Sequence, residues 1–199
     1  MEPTIFTSPR RFTSQVLALA LMGTGLLILG GVALALLPGL MGGEAQATLA
    51  LDDYLTAVPA VVDFRAPELE LTDLDGRPVS LEDYRGQWVL VNHWATWCPP
   101  CKAEMPVLQA YFEAYHDRGF TIVAIEAGEP VAQVAEYVAA SGLTFTVWPD
   151  SQQRAMAAFG EQHLPASYVI NPNGQVKLYW TGGISRAMLE KYITPLLEN

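Results

Sequence analysis

The chain has 199 residues, a length that suits one domain of ordinary size with an additional segment. It carries 11 Lys and Arg against 21 Asp and Glu, and this net charge of −10 argues against a nucleic-acid-binding protein, because clustered Lys and Arg hold phosphates. Two cysteines are too few for a multi-disulfide framework or a four-thiolate zinc site, and they allow one disulfide.

The first predicted element is an apolar run from Val16 to Leu37 that contains no charged residue. A helix of about 20 such residues crosses the hydrocarbon core of a bilayer. Two arginines precede the run and no further Lys or Arg occurs until Arg65, so the positive-inside rule places residues 1–15 in the cytoplasm. We therefore predict a single-pass transmembrane anchor at residues 16–40, with the rest of the chain in the periplasm or at the cell exterior.

A cleaved signal peptide is the alternative interpretation of this segment. The triplet Ala45-Gln46-Ala47 has the small-x-small pattern of a cleavage site, but the apolar region of a signal peptide is usually only ~7–15 residues long. Both interpretations put the following domain outside the cytoplasm. Residues 41–64 are predicted to be a linker, with a short first element as the alternative, and residues 65–199 are predicted to form one domain.

Within residues 65–199, predicted strands and helices alternate. A hairpin is predicted from Glu68–Asp73 and Pro78–Leu81 around the turn signal Asp75-Gly76, followed by a capping box at Ser80 and Asp83. The patterns further predict strands at Trp88–Trp94, Phe120–Ile125, Thr144–Trp148, Ser167–Asn171 and Gln175–Trp180, and helices at Pro99–Asp117, Val131–Ala140, Ser151–Phe159 and Arg186–Leu197. This alternation indicates an α/β sheet with helices on both faces.

Both cysteines fall in the motif Cys98-Pro99-Pro100-Cys101, between a predicted strand and a predicted helix. Unpaired N–H groups and the dipole at a helix N-terminus stabilise a thiolate, which is the nucleophilic form of cysteine. Cys98 is therefore predicted to attack a partner's disulfide, and Cys101, one helical turn later, is predicted to resolve the mixed disulfide.

Two other uses of the cysteine pair are considered. The pair could form a structural disulfide, or it could bind a metal ion with further ligands drawn from His93, His163 and His116. No second C-x-x-C motif and no H-x₃-H motif occurs, so a metal site is disfavoured. We expect neither a metal nor a cofactor.

The segment Val91–Pro106, VNHWATWCPPCKAEMP, resembles the active-site segment of membrane-anchored thioredoxin-like reductases of the ResA/TlpA type, relatives of the disulfide reductases used in cytochrome c maturation. The resemblance extends over residues 65–199 and includes LPASYVINPNG and the terminal helix. It implies an α/β, thioredoxin-like fold with an N-terminal β-hairpin and a central α/β insertion, preceded by a single transmembrane helix.

The resemblance also implies roles for individual residues. Cys98 matches the attacking thiol and Cys101 the resolving thiol, while Trp97 matches a tryptophan beside the site. Pro165 matches the cis-proline of the loop opposite the disulfide. That loop would let the backbone of Leu164 pair with an incoming peptide, a strand-addition mode of recognition.

Glu104 matches an acidic residue that many such reductases place near the thiols. Asn92 stands where thioredoxin has a buried Asp, and an amide cannot titrate, so proton handling is predicted to fall to Glu104. Partial burial near Trp94 or Trp97 would raise the pKa of Glu104. His93 alternates with Asn92 along the strand and is predicted to pack in the core on the opposite face.

These features predict an extracytoplasmic thiol–disulfide oxidoreductase that reduces client disulfides. The resemblance implies an apocytochrome c C-x-x-C-H disulfide as client and a CcdA/DsbD-like membrane thiol relay as electron donor. A disulfide oxidase of the same fold is one alternative. A copper-binding chaperone using Cys98, Cys101 and His163 is another, and a non-catalytic adaptor is the third.

Overall fold

The computed structural model describes residues 56–198. The predicted anchor at residues 16–40 lies outside the described residues. Within residues 56–198, no helix is both long and apolar enough to cross a membrane.

The described residues form eight strands and five α-helices. The strands are β1 (Ala60–Arg65), β2 (Glu70–Thr72), β3 (Pro78–Ser80), β4 (Trp88–Trp94), β5 (Phe120–Ala127), β6 (Thr146–Asp150), β7 (Ala166–Ile170) and β8 (Gln175–Thr181). The helices are α1 (Pro99–Tyr115), α2 (Val131–Ser141), α3 (Arg154–Phe159), α4 (Arg186–Tyr192) and α5 (Thr194–Leu197), with 3₁₀ turns at Leu81–Tyr84 and His116–Arg118.

Six strands form one mixed sheet in the order β1-β8-β7-β4-β5-β6. Strands β4, β5 and β6 are parallel to one another, whereas β7 is antiparallel to β4 and to β8, and β1 is antiparallel to β8. Strands β2 and β3 form the separate predicted hairpin. The sheet thus places the end of β4, where the cysteine motif follows, near its middle.

Strand β4 is buried on both faces, which explains its nearly continuous apolar sequence. Leu90 and Trp94 belong to the core under α1, α2 and α4, and Val89 and Val91 belong to the core under α3 and the hairpin. The predicted arrangement of helices on both faces is confirmed. The mixed sheet, in which β4, α1 and β5 are followed later in the chain by the antiparallel pair β7–β8 and helix α4, makes the fold thioredoxin-like.

Three predicted boundaries need correction. Strand β1 begins at Ala60, inside the segment predicted as a linker at residues 41–64, so the domain begins earlier than residue 65. Helix α3 begins at Arg154 rather than Ser151, although Asp150 Oδ2 accepts the N–H of Ala155 at 2.7 Å, as a capping side chain would.

The single predicted C-terminal helix is the third correction. It is divided into α4 and α5 at Ile193, because Pro195 lacks the N–H that a continuous helix would use. The capping box is confirmed: Ser80 Oγ accepts from Glu82 N–H, and the Ser80 N–H donates to Asp83.

Candidate active site

The cysteine motif occupies the junction between β4 and α1, as predicted. Cys98 is the N-cap residue of α1, with an extended backbone, and its Sγ accepts the N–H of Cys101 at 3.3 Å. Two prolines occupy the first turn of the helix, where a missing N–H costs nothing. The N–H of Cys101 in the first turn of α1 therefore points at the sulfur of Cys98 and, together with the helix dipole, favours a thiolate there.

Cys98 and Cys101 are joined in a disulfide with an S–S distance of 2.06 Å. The two cysteines differ in their surroundings: Cys101 is fully buried, Cys98 is 3% exposed, and the adjacent Trp97 is 64% exposed. The side of the disulfide nearer to solvent is therefore the Cys98 side.

Glu104 is buried on α1, one turn after Cys101. Its Oε1 accepts from Asn92 Nδ2 at 2.8 Å, and the same amide nitrogen donates to Ser167 Oγ at 2.9 Å. Burial raises the pKa of Glu104 to about 8, while hydrogen bonds from Asn92 and from the backbone of Ile184 act in the opposite direction. At neutral pH, Glu104 is thus largely protonated and able to exchange a proton.

The predicted proline loop adjoins the cysteine motif. The Leu164–Pro165 peptide bond is cis, and the carbonyl of Pro165 accepts the N–H of Gly182 at 2.8 Å. The neighbouring Gly183 lies against the carbonyl of Pro100, where an added Cβ would be 3.8 Å from that oxygen. The loop, the start of β7 and the C-x-x-C motif therefore lie in one region of the surface.

The structure separates the three histidines. His93 is fully buried on the opposite face of β4, where it contacts Phe159 and Tyr168, and burial lowers its pKa to about 4. His163 is exposed and bonds to Glu161.

His116 follows the C-terminus of α1, about 25 Å along the helix from Cys98. Within residues 56–198, no three His, Cys, Asp or Glu side chains are arranged to hold a metal ion. The copper-chaperone interpretation therefore gains no support from the described residues.

Two acidic residues near the motif were missed in the sequence. Glu129 accepts the backbone N–H of Thr96 at 2.7 Å and its hydroxyl at 2.5 Å, and Glu126 lies buried beside Glu129. The sequence feature that could have indicated them is Glu126, because it is a charged residue within the apolar run FTIVAIEA of β5.

A redox cysteine pair that caps a helix, beside a cis-proline loop on a thioredoxin-like sheet, defines the class of thiol–disulfide exchange proteins. A family model described as the AhpC/TSA family matches residues 62–179. The chain belongs to this family.

Within this family, the chain is similar to thiol-disulfide oxidoreductases named ResA. The thiol-disulfide oxidoreductase ResA of Geobacillus thermodenitrificans (strain NG80-2) is 34% identical over 167 residues, which cover 84% of this chain and 94% of the relative. ResA of Geobacillus kaustophilus (strain HTA426) is 37% identical over 142 residues, covering 71% and 82%.

A solved structure is similar as well. The thiol:disulfide interchange protein, a thioredoxin family protein from Chlorobium tepidum TLS, has 29% identity and a TM-score of 0.62, covering 69% of this chain and 99% of that chain. The chain is a thiol–disulfide oxidoreductase of the ResA type that acts on client disulfides.

Proposed function

We propose that this oxidoreductase works as a reductase of client protein disulfides outside the cytoplasm. The observation that carries the proposal is the buried, largely protonated Glu104 one turn after Cys101. A strong oxidant of this chemistry owes its potential to a stabilised reduced form. A carboxyl group at this position brings no positive charge to a nearby thiolate, and its ionised form repels one, so the reduced pair lacks the charge stabilisation of a strong oxidant and is the better electron donor.

The proposed reaction transfers two electrons and two protons to the client. The Cys98 thiolate attacks one sulfur of the client disulfide, the client's S–S bond breaks, and the leaving thiolate takes up a proton. Cys101 then loses its proton, which the ionised fraction of Glu104 or water accepts, and attacks Cys98 Sγ. The second client thiolate leaves and is protonated, and the Cys98–Cys101 disulfide forms.

We infer the electron donor and the client from the predicted extracytoplasmic location and from the resemblance to reductases of the ResA/TlpA type. Extracytoplasmic compartments are oxidising, so a reductase there needs electrons from inside the cell. We assign the donor role to a CcdA/DsbD-like membrane thiol relay and the client role to the C-x-x-C-H disulfide of an apocytochrome c. The segment at residues 16–40 would hold the enzyme at the membrane beside the relay.

Electron transfer to a model client tests this function. The full chain, solubilised in detergent and reduced, is mixed with a peptide that carries an oxidised C-x-x-C-H motif. We expect one peptide dithiol to form for each Cys98–Cys101 disulfide, and no transfer by the Cys98→Ser variant. Oxidation of the reduced peptide by the oxidised protein, without the forward reaction, would instead identify a disulfide oxidase.

The predicted membrane anchor at residues 16–40 can be tested separately from the redox function. Intact mass of the membrane-extracted protein should include residues 1–40, since the apolar run is longer than that of a usual signal peptide. A soluble mature chain beginning near Thr48 would refute the anchor and leave the redox function standing.

A further inference from the structure

The loop that leads into Cys98 is tied to a carboxylate from another part of the fold. Glu129, just before α2, accepts both the backbone N–H and the hydroxyl of Thr96, two residues before Cys98. Gln133, in the first turn of α2, donates to both Thr96 Oγ1 and the Glu129 carboxylate. Thr96 is thereby held at both its backbone and its side chain, and the exposed Trp97 and then Cys98 follow directly.

A second carboxyl group lies behind the first. Glu126, on β5 in register with Trp94, is fully buried, and its Oε2 accepts the N–H of Glu129 at 3.1 Å. The carboxyl groups of Glu126 and Glu129 also influence each other's pKa. Two carboxylates at such close range repel each other unless one of them carries a proton.

The surroundings decide which group carries that proton. Burial, the contact with Glu129 and the charge of Asp150 on β6 raise the pKa of Glu126 to about 8. Hydrogen bonds from Thr96, Glu126 and Gln133 hold the pKa of Glu129 below its ordinary value, against the effect of burial. At neutral pH, these effects favour a protonated Glu126 beside an ionised Glu129, which keeps its acceptor oxygens for Thr96.

We propose that Glu129 is a positioning residue for the attacking thiol, and that a proton shared between Glu126 and Glu129 keeps Glu129 in the geometry that fixes the Thr96–Cys98 loop. The inference rests on Cys98 being the attacking thiol of the proposed function. Glu129 acts through Thr96 and takes no part in the exchange itself. Fixing the loop before a client arrives lowers the ordering cost of the encounter.

Variants of Glu129 test the positioning role, with the second-order rate constant for reduction of the C-x-x-C-H peptide as readout at pH 7. Glu129→Ala should lower the rate constant about tenfold, while Glu129→Gln, which keeps an acceptor for the Thr96 N–H, should remain within about threefold of wild type. The matched control is Glu136→Ala, which removes an exposed acidic side chain from α2 and should leave the rate unchanged.

Proton sharing is tested by a pH profile that a purely structural role would not alter. Because burial also raises the pKa of Glu104 to about 8, the comparison uses the Glu104→Gln background. Above about pH 8, Glu126 ionises and the two carboxylates repel each other, so the rate in this background should fall relative to that of Glu104→Gln/Glu126→Gln.

The outcomes separate this inference from the proposed function. A wild-type protein that does not reduce the peptide would refute the function. An active wild type with Glu129→Ala at the same rate would refute the positioning role, as would an equal loss in Glu136→Ala. A rate ratio that stays constant from pH 6 to pH 9 would refute proton sharing, even if Glu129→Ala proves unstable.

Discussion

The two cysteines of the motif are chemically unequal because α1 begins between them. Cys98 lies before the first turn, where its Sγ accepts the N–H of Cys101, and it adjoins the exposed Trp97. Cys101 lies inside the first turn and is fully buried. We therefore expect Cys98 to make the first attack on a client and Cys101 to attack the mixed disulfide at Cys98.

This asymmetry predicts a trapping pattern. Cys101→Ser should accumulate a mixed disulfide between Cys98 and the client, because the resolving thiol is missing, whereas Cys98→Ser should accumulate none. Non-reducing electrophoresis followed by mass spectrometry of the linked peptide measures both. Trapping by Cys98→Ser alone would reverse the assignment.

A second prediction concerns the titration of the Glu104 side chain. Glu104→Gln keeps the shape of the side chain and removes its titration, so the pH dependence of Cys98 alkylation should shift and client reduction should slow. Superimposable pH–rate profiles for the variant and the wild type would contradict a role of Glu104 in proton transfer and leave it a structural role only.

The pH dependence of the free energy of unfolding provides a second test of Glu104→Gln. The pKa of Glu104 is raised from 4.5 to about 8, so between these values the folded state binds more protons than the unfolded state. Its contribution to the free energy of unfolding is therefore present at acidic pH and is lost as pH rises toward 8, by up to about 1.4 kcal/mol per pH unit. Denaturant titrations of Glu104→Gln should show a shallower decline over this range.

Some features of individual residues could be predicted from the sequence and others could not. The core position of His93 follows from strand alternation, which is a local property. The place of Glu104 near the thiols came from the family resemblance, and its burial is more complete than the partial burial expected. The contact between Glu129 and Thr96 depends on where the loop after β5 lies relative to the loop after β4. No local pattern encodes that distance.

At the level of elements, β4 supports the site because it is buried on both faces and leads directly into the cysteine motif. Leu90→Ala, at a fully buried position of β4, should lower the free energy of unfolding by ~2–5 kcal/mol through lost transfer energy and a residual cavity. Val61→Ala, at a β1 position that is 83% exposed, is the control and should change it by less than ~0.5 kcal/mol. Equal effects in urea titrations would contradict the assigned burial.

Strand β1 lies in the segment predicted to be a linker, with a short first element as the alternative, and the reason is physical. Strand β1 is largely exposed and owes its existence to pairing with β8, more than 100 residues away, so its own sequence AVVDFR has no clear alternation. Strands and helices with a strong apolar pattern, such as β4 and α1, were placed within about two residues. For these elements, the apolar pattern of the local sequence is enough to indicate which residues are buried.

For the whole molecule, the sheet topology assembles the site from distant segments. The parallel pair β4–β5 brings the loops after both strands to the same edge, and β7 lies antiparallel beside β4, so its start is at that edge as well. Asn92, Glu104 and Ser167 meet there. The resemblance of the motif to a family indicated this arrangement, whereas composition and periodicity alone indicated only an α/β sheet.

The central claim is that the Cys98–Cys101 pair donates electrons, and its reduction potential tests this most directly. The full-length protein in detergent is equilibrated with dithiothreitol or glutathione redox buffers, and the oxidised fraction is counted by thiol alkylation and mass. Because Glu104 brings no positive charge to the thiolates, we expect a potential near that of thioredoxin, about −270 mV. A potential near −120 mV, typical of a strong oxidant, would contradict it.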